Sequence, residues 1–259
     1  MTLALLGQSA GLVLVMMTAL WALSVYLRDV SIVDPWWSIA FLIVTLSAAS
    51  HSALTTRKLL LVTMVGVWSV RLWLHLLLRS RGRPEDPRYA EFRRRFGPER
   101  YWWLSFFQVF LLQGALAFVI SAPLQMVAAE REARGLGVVE CAAVLVFAAG
   151  FSIEAVADWQ LQTFRSRPVA GAEVLATGLW RYSRHPNYFG EALLWWGFWL
   201  LAAGSRYGWA TAPAPMLMTF LLLRVSGVTI LDAHLTATKP GYADYVRRTS
   251  AFVLRPPKR

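Results

Sequence analysis

Ionisable and amide side chains stand at regular spacing where a strongly apolar chain should not carry them. Arg71 and His75, Glu154 and Asp158, and Asn187 and Glu191 are each four residues apart, and Arg224 and Asp232 are eight apart. With Arg165 seven beyond Asp158, these spacings put each set on one face of an α-helix. Ionisable groups at membrane depth are costly, so each is a candidate for function. Stripes of this kind that face one another would line a polar cavity able to hold a charged ligand. The competing account is salt bridging between helices, for example Arg224 with Asp158 or Glu191. It suits one pair better than the whole set, because buried pairs rarely add net stability.

The densest signal is Thr177–Glu191, in which Arg181, Tyr182, Arg184 and His185 precede Pro186 and Asn187. Proline suits a first helical turn, where its missing N–H costs nothing. Basic residues ahead of a helix N-terminus suit a phosphate or carboxylate; a basic anchor flanked by interfacial Trp and Tyr is the alternative. In the tail, Tyr242, Tyr245 and Arg248 recur every three residues on a short amphipathic helix. It either closes the cavity or lies on the lipid surface. The Arg-rich loop 79–103 is either a lid or a solvated charge run.

These residues need helices to position them. The chain has 259 residues, 57% hydrophobic and 16% charged, with a mean hydropathy of +0.46. A soluble domain carries about a quarter charged residues, so a cytosolic globule and a disordered chain are both excluded. Taking about 20 apolar residues per crossing, spans are expected near 3–27, 32–50, 59–78, 104–128, 137–157, 188–204 and 209–231. The first, lacking a basic cluster and a small-residue cleavage site, is expected to be a retained helix rather than a signal peptide. The expected fold is all-α, a polytopic bundle of about seven transmembrane helices, read as one domain over 1–259. One cysteine, Cys141, and four scattered histidines offer no metal motif, and no phosphate-binding glycine loop is present.

The net charge of +11 need not mean nucleic acid. Loop 79–103 holds eight basic residues, loop 158–187 four, the tail after 231 six, and the first loop has Arg28, so 19 of the 26 share one side of a seven-span chain. That excess marks the cytoplasmic side and contact with anionic lipid, placing the N-terminus out and the C-terminus in the cytoplasm.

Asp29–Trp37, Arg81–Tyr89, Glu154–Arg165, Gly178–Glu191 and Pro240–Pro257, in that order, resemble the DUF1295 branch of the steroid 5-alpha-reductase family. The resemblance runs from about residue 28 onward. It implies an integral membrane enzyme that binds NADPH in its cytoplasmic half, about 150–259, and reduces a carbon–carbon double bond conjugated to a carbonyl. Asp158, Arg165, Asn187, Glu191, Arg224, Asp232, Tyr242 and Tyr245 match cofactor positions, and Arg181, Tyr182, Arg184 and His185 lie in the same block. Isoprenylcysteine and phospholipid methyltransferases carry a similar Arg-His-Pro-x-Tyr-x-Gly. They follow it with a Glu-Glu pair, whereas Arg224 here is followed by Val-Ser-Gly-Val-Thr-Ile-Leu-Asp.

The reductases hold the substrate carbonyl with a Gln-Glu pair on the second helix and a Tyr on the third. Neither is present here, so the catalytic candidates are Asp34, Arg71 and His75. A desolvated Asp34 that kept its proton would be a donor, Arg71 would stabilise an enolate, and His75 would supply a proton. Asp34 would equally serve to cap the second helix, and His75 to bond a neighbouring one. Trp36, Trp37, Trp68 and Trp73 suit a flat apolar substrate entering from the bilayer, or plain packing. An S-adenosylmethionine-dependent methyltransferase and a non-enzymatic lipid-binding protein are the other classes.

Overall fold

The computed structural model describes residues 2–131, 135–167, 173–225 and 228–258. Residues 132–134 and 168–172, in expected loops, and Ser226 and Gly227, in the expected seventh span, lie outside the described residues. Among the described residues 79% are helical and none lies in a strand. The chain forms two compact units, Met1–Leu136 and Gly137–Arg259. Among the described residues, five helical stretches are long and apolar enough to cross a membrane, namely Leu3–Leu27, Val30–Ala49, Thr56–Ser80, Pro98–Ile120 and Val138–Arg165.

In the first unit, α1 (Leu3–Leu27) ends where Arg28 turns left-handed at φ 56°. Asp29 then accepts from Ser31 N at 2.9 Å and starts a 3-10 turn, Val30–Ile32, leading into α2 (Val33–Ala49). α3 (Thr56–Ser80) follows, its first turn capped by the Thr55 hydroxyl on Lys58 N. α2 is the most enclosed of the spans and packs against α1 and α3. Its Val33, Phe41, Val44 and Ala48 are fully buried, as are Leu61, Val65 and Trp68 of α3. The Arg-rich loop folds into α4 (Pro87–Phe96) and α5 (Pro98–Ser105), separated by Gly97 at φ 76°. Each opens on a proline, where no N–H is needed.

The fourth span begins earlier and ends earlier than the apolar run suggests. A π-helical turn, Phe106–Leu111, joins α5 to α6 (Leu112–Ile120), and α7 (Ala122–Ala128) is separate. The break falls where Ser121 Oγ donates to the Phe118 carbonyl and Pro123, in the next turn, has no N–H to give. Beyond α7, Glu130 pairs at 2.7 and 2.9 Å with the fully buried Arg57, tying the chain back to the start of α3.

In the second unit, α8 (Val138–Arg165) is about 42 Å long at the helical rise, longer than the roughly 30 Å hydrocarbon core. It packs along α9 (Pro186–Ala203) at backbone distance. A Cβ on Gly150 would lie 2.5 Å from Leu194 N, one on Gly190 2.5 Å from Glu154 N, and one on Gly197 2.8 Å from Phe147 N. Small residues allow this approach where lipid gives helices no hydrophobic reason to associate. Within and beyond the expected seventh span, the described residues form α10 (Pro213–Phe220), a π-helical turn Leu221–Val225 and α11 (Val228–Thr238). The chain then turns at Gly241 into α12 (Tyr242–Arg248).

Glycine is a poor helix former, so an exposed Gly→Ala change would ordinarily stabilise. Here the clash should win: Gly190→Ala is expected to lower stability by about 2 kcal/mol, read as thermal unfolding in detergent. An unchanged or raised midpoint would show that the two helices can separate at no cost.

Candidate functional site

The stretch Thr177–Glu191 is docked onto α8 before it reaches α9. Gly178, at φ 60°, lets Leu179 N donate to Gln160 Oε1 at 3.0 Å, and a Cβ there would strike the Gln160 side chain. Trp180 Nε1 then donates to the Ala157 carbonyl at 3.1 Å. Ser183 Oγ donates to the Phe252 carbonyl at 2.7 Å, and Arg184 N to the Ser250 carbonyl at 2.8 Å. The stretch is thus held between α8 and the C-terminal tail.

The expected polar residues of this unit meet around Asp232 of α11. Arg184 reaches its carboxylate with Nε at 3.2 Å and Nη2 at 2.7 Å, and its Nη1 donates to the Val246 and Thr249 carbonyls. His185 Nε2 lies 3.0 Å from Asp232 Oδ1, and Tyr242 OH donates to the same oxygen at 2.5 Å. Tyr245 OH donates to the carbonyls of Trp180 and Ser183. Burial alone would raise the Asp232 pKa, but the bonds from His185, Arg184 and Tyr242 outweigh it and hold the carboxyl well below the usual range. Burial, followed by the bond to Asp232, pushes the Tyr242 phenol up.

These bonds give the residues definite work. Arg184, Asp232, Tyr242 and Tyr245, all expected around a cofactor, have most of their hydrogen-bonding capacity taken up inside the protein. Arg184 clamps the chain, with its fork on Asp232. Sequence reasoning missed this centre because the partners lie as many as 65 residues apart.

Two polar atoms beside this centre are buried and have no hydrogen-bond partner among the described residues: His185 Nδ1 and Asn187 Oδ1. A carboxylate accepts, so His185 faces Asp232 with Nε2–H, and in the neutral form of the ring Nδ1 is an acceptor. The Tyr188 ring stacks parallel to it at 5.5 Å. Asn187 Nδ2 donates to Asp158 Oδ1 at 3.1 Å, which turns the amide oxygen away as a second acceptor. Asp158, Glu154 and Glu191 are buried on the packed pair α8 and α9. Arg165, Arg181 and Arg224 are exposed, the last in the π-helical turn, and Tyr182 is 40% exposed.

The candidates in the first unit take different places. Asp34, in the first turn of α2, accepts from Tyr89 OH at 2.7 Å and from Arg88 Nη2 at 3.0 Å. Gln113 Nε2 donates to the Tyr89 oxygen at 3.2 Å. Tyr89 lies in the block Arg81–Tyr89, but its bond across 55 residues has no sequence signature. Arg71 and His75 are half-buried on α3. Trp36 and Trp73 meet edge to face at 5.8 Å, and Phe41 packs on Trp68, so these aromatics serve the packing of α2 on α3. The loop is built by ion pairs: Glu85 accepts from Arg93 at 2.8 and 3.0 Å and from Val30 N at 2.9 Å.

Several apolar helices of membrane length among the described residues are compatible with a multi-pass membrane protein. The chain belongs to the DUF1295 family, described as a protein of unknown function, whose model matches residues 20–249. An uncharacterized protein of Schizosaccharomyces pombe is 27% identical over 209 residues, covering 71% of this chain and 60% of the relative. The match thus takes in less than two thirds of that relative's length. No solved structure matches significantly.

Because its pKa is depressed, ionised Asp232 stabilises the fold above the ordinary aspartate range, and that contribution disappears as pH falls. The wild-type melting temperature in detergent should drop between about pH 5 and pH 2, and the Asp232→Asn profile should be flatter there. Parallel profiles would remove Asp232 as the source. Arg184→Ala should cost about 3 kcal/mol, the low end for orphaning a buried charge, since Asp232 keeps 17% exposure.

Proposed function

We propose that the chain is a membrane-embedded oxidoreductase, using NADPH to reduce the carbon–carbon double bond of a lipophilic enone that enters from the bilayer. In this reading it is a steroid 5-alpha-reductase-like enzyme with seven spans, its N-terminus outside and its cofactor residues on the cytoplasmic side. The observation that carries the proposal is the pair of buried acceptors, His185 Nδ1 and Asn187 Oδ1. A nicotinamide carboxamide and ribose hydroxyls bring the donors such atoms need. Arg165, Arg181 and Arg224 would meet the phosphates, whose oxygens an arginine fork matches. Asp158 would hold the Asn187 amide in place, and Glu191 and Tyr182 would complete the set.

When bound, the nicotinamide supplies the hydride. The protein's own part is to bind the enone oxygen as negative charge develops, deliver a proton and exclude water. Asp34, carrying its proton, would donate to that oxygen. It would be held in place by the Tyr89 hydroxyl, which donates to it and in turn accepts from Gln113. Arg71, as a cation for the enolate, and His75, as a proton source, are the other candidates. The two buried acceptors would also suit the ammonium and hydroxyl donors of S-adenosylmethionine, which keeps a methyltransferase as the second reading.

Titration of the purified chain in detergent with NADPH, NADH and S-adenosylmethionine separates these readings. NADPH should raise the melting temperature most, and Asn187→Ala or Arg224→Ala should remove the effect. Stabilisation by S-adenosylmethionine alone would overturn the reductase. With an enone substrate in hand, Asp34→Ala should lower kcat by roughly a hundredfold or more while leaving NADPH binding intact. A wild-type rate would exclude Asp34 from the chemistry.

A further inference from the structure

The first unit carries a half-open cavity of about 770 Å³ that none of the roles above uses. It lies between the C-terminal end of α1, the Arg-rich loop and α5, with Arg28, Glu85, Arg93, Glu99, Tyr101 and Trp102 among its walls. Three features describe its occupant.

The first is polar. Tyr101 is fully buried, and its hydroxyl has no hydrogen-bond partner among the described residues. The ring itself is fixed, stacked parallel to Phe96 with the Arg93 guanidinium 5.2 Å from its centre. A rigid, dehydrated hydroxyl costs free energy unless something answers it.

The second is charge of both signs. Glu85 and Arg93 neutralise each other, bonded at 2.8 and 3.0 Å. Arg28 and Glu99, both exposed, remain as a cation and an anion on the same cavity. Such a wall suits a zwitterion rather than a simple anion.

The third is the surroundings. The cavity sits at the end of two apolar spans, where Val25, Tyr26, Trp102, Trp103 and Phe107 are all exposed. Exposed Tyr and Trp at a span's end mark the headgroup level of a bilayer.

We propose that this cavity holds the headgroup of a zwitterionic, ammonium-bearing phospholipid. Arg28 and the Tyr101 hydroxyl take the phosphate, Glu99 takes the ammonium, and the acyl chains run down the apolar surface beside Val25 and Trp102. The site belongs to the first unit alone and does not depend on the cofactor reading.

The test uses the full chain, purified and delipidated in detergent. It is titrated with phosphatidylethanolamine, phosphatidylglycerol or soluble glycerophosphoethanolamine, with binding read by native mass spectrometry. Phosphatidylethanolamine should bind about tenfold more tightly than phosphatidylglycerol, the weight of one charge-assisted contact. Arg28→Ala should weaken it about tenfold and Tyr101→Phe about fivefold. Glu99→Gln should erase the preference between the two lipids. Tyr101→Phe removes only a hydroxyl with no partner among the described residues, so its melting temperature without lipid should equal or exceed that of the wild type and separate lost binding from lost folding. Equal binding of the two lipids, wild-type affinity in folded Arg28→Ala and Tyr101→Phe, or equally tight binding of the soluble headgroup would each overturn the proposal.

Discussion

In an apolar environment a carboxylate must be answered by donors that the protein itself supplies, and Asp232 is answered from three directions. Arg184 and His185 come from the segment before α9, and Tyr242 comes from α12. An unanswered charge there would cost several kcal/mol, so the segments must converge for the unit to fold. Convergence has a second consequence. Arg184 also holds the Val246 and Thr249 carbonyls, so one ion pair positions α11, α12 and the start of α9 together. The acceptors that remain, on His185 and Asn187, point where they do because their other atoms are already engaged.

The packing of α8 on α9 works by a different force toward the same end. Lipid is as apolar as the helix faces, so the pair holds through close contact rather than exclusion of water. Gly150, Gly190 and Gly197 bring the backbones together, and this closeness carries Asp158 to Asn187. A bulkier residue at Gly190 would move the carboxylate and the amide apart before it disturbed either directly. The polar centre therefore depends on residues that have no polar atoms of their own.

The first unit follows a parallel logic around α2. Apolar residues of α2 and α3 fill its core, while the Arg-rich loop is pinned by Asp34, Glu85 and their partners. Pairing of this kind converts a run of positive charge, which would repel itself in water, into two short helices. Tyr101 departs from that pattern: it is fully buried, its hydroxyl has no hydrogen bond among the described residues, and its side chain also lines the cavity.

Much of this was legible in the residues themselves. Long apolar runs dictate membrane-length helices, since no other element satisfies every backbone group in lipid. The placement of Pro186 at a helix start follows from its missing N–H, and the family was recognisable in blocks such as Asp29–Trp37 and Gly178–Glu191. Spacing of four paired Glu154 with Asp158 and Asn187 with Glu191, and each pair lies on one helix. What spacing cannot specify is partnership across the chain. That Arg184 serves Asp232, that Tyr89 serves Asp34, and that His185 and Asn187 each keep one atom unanswered are matters of three-dimensional approach. A hydrogen bond forms only within about 3 Å, and residues up to 65 positions apart reach that distance only once the helices have packed.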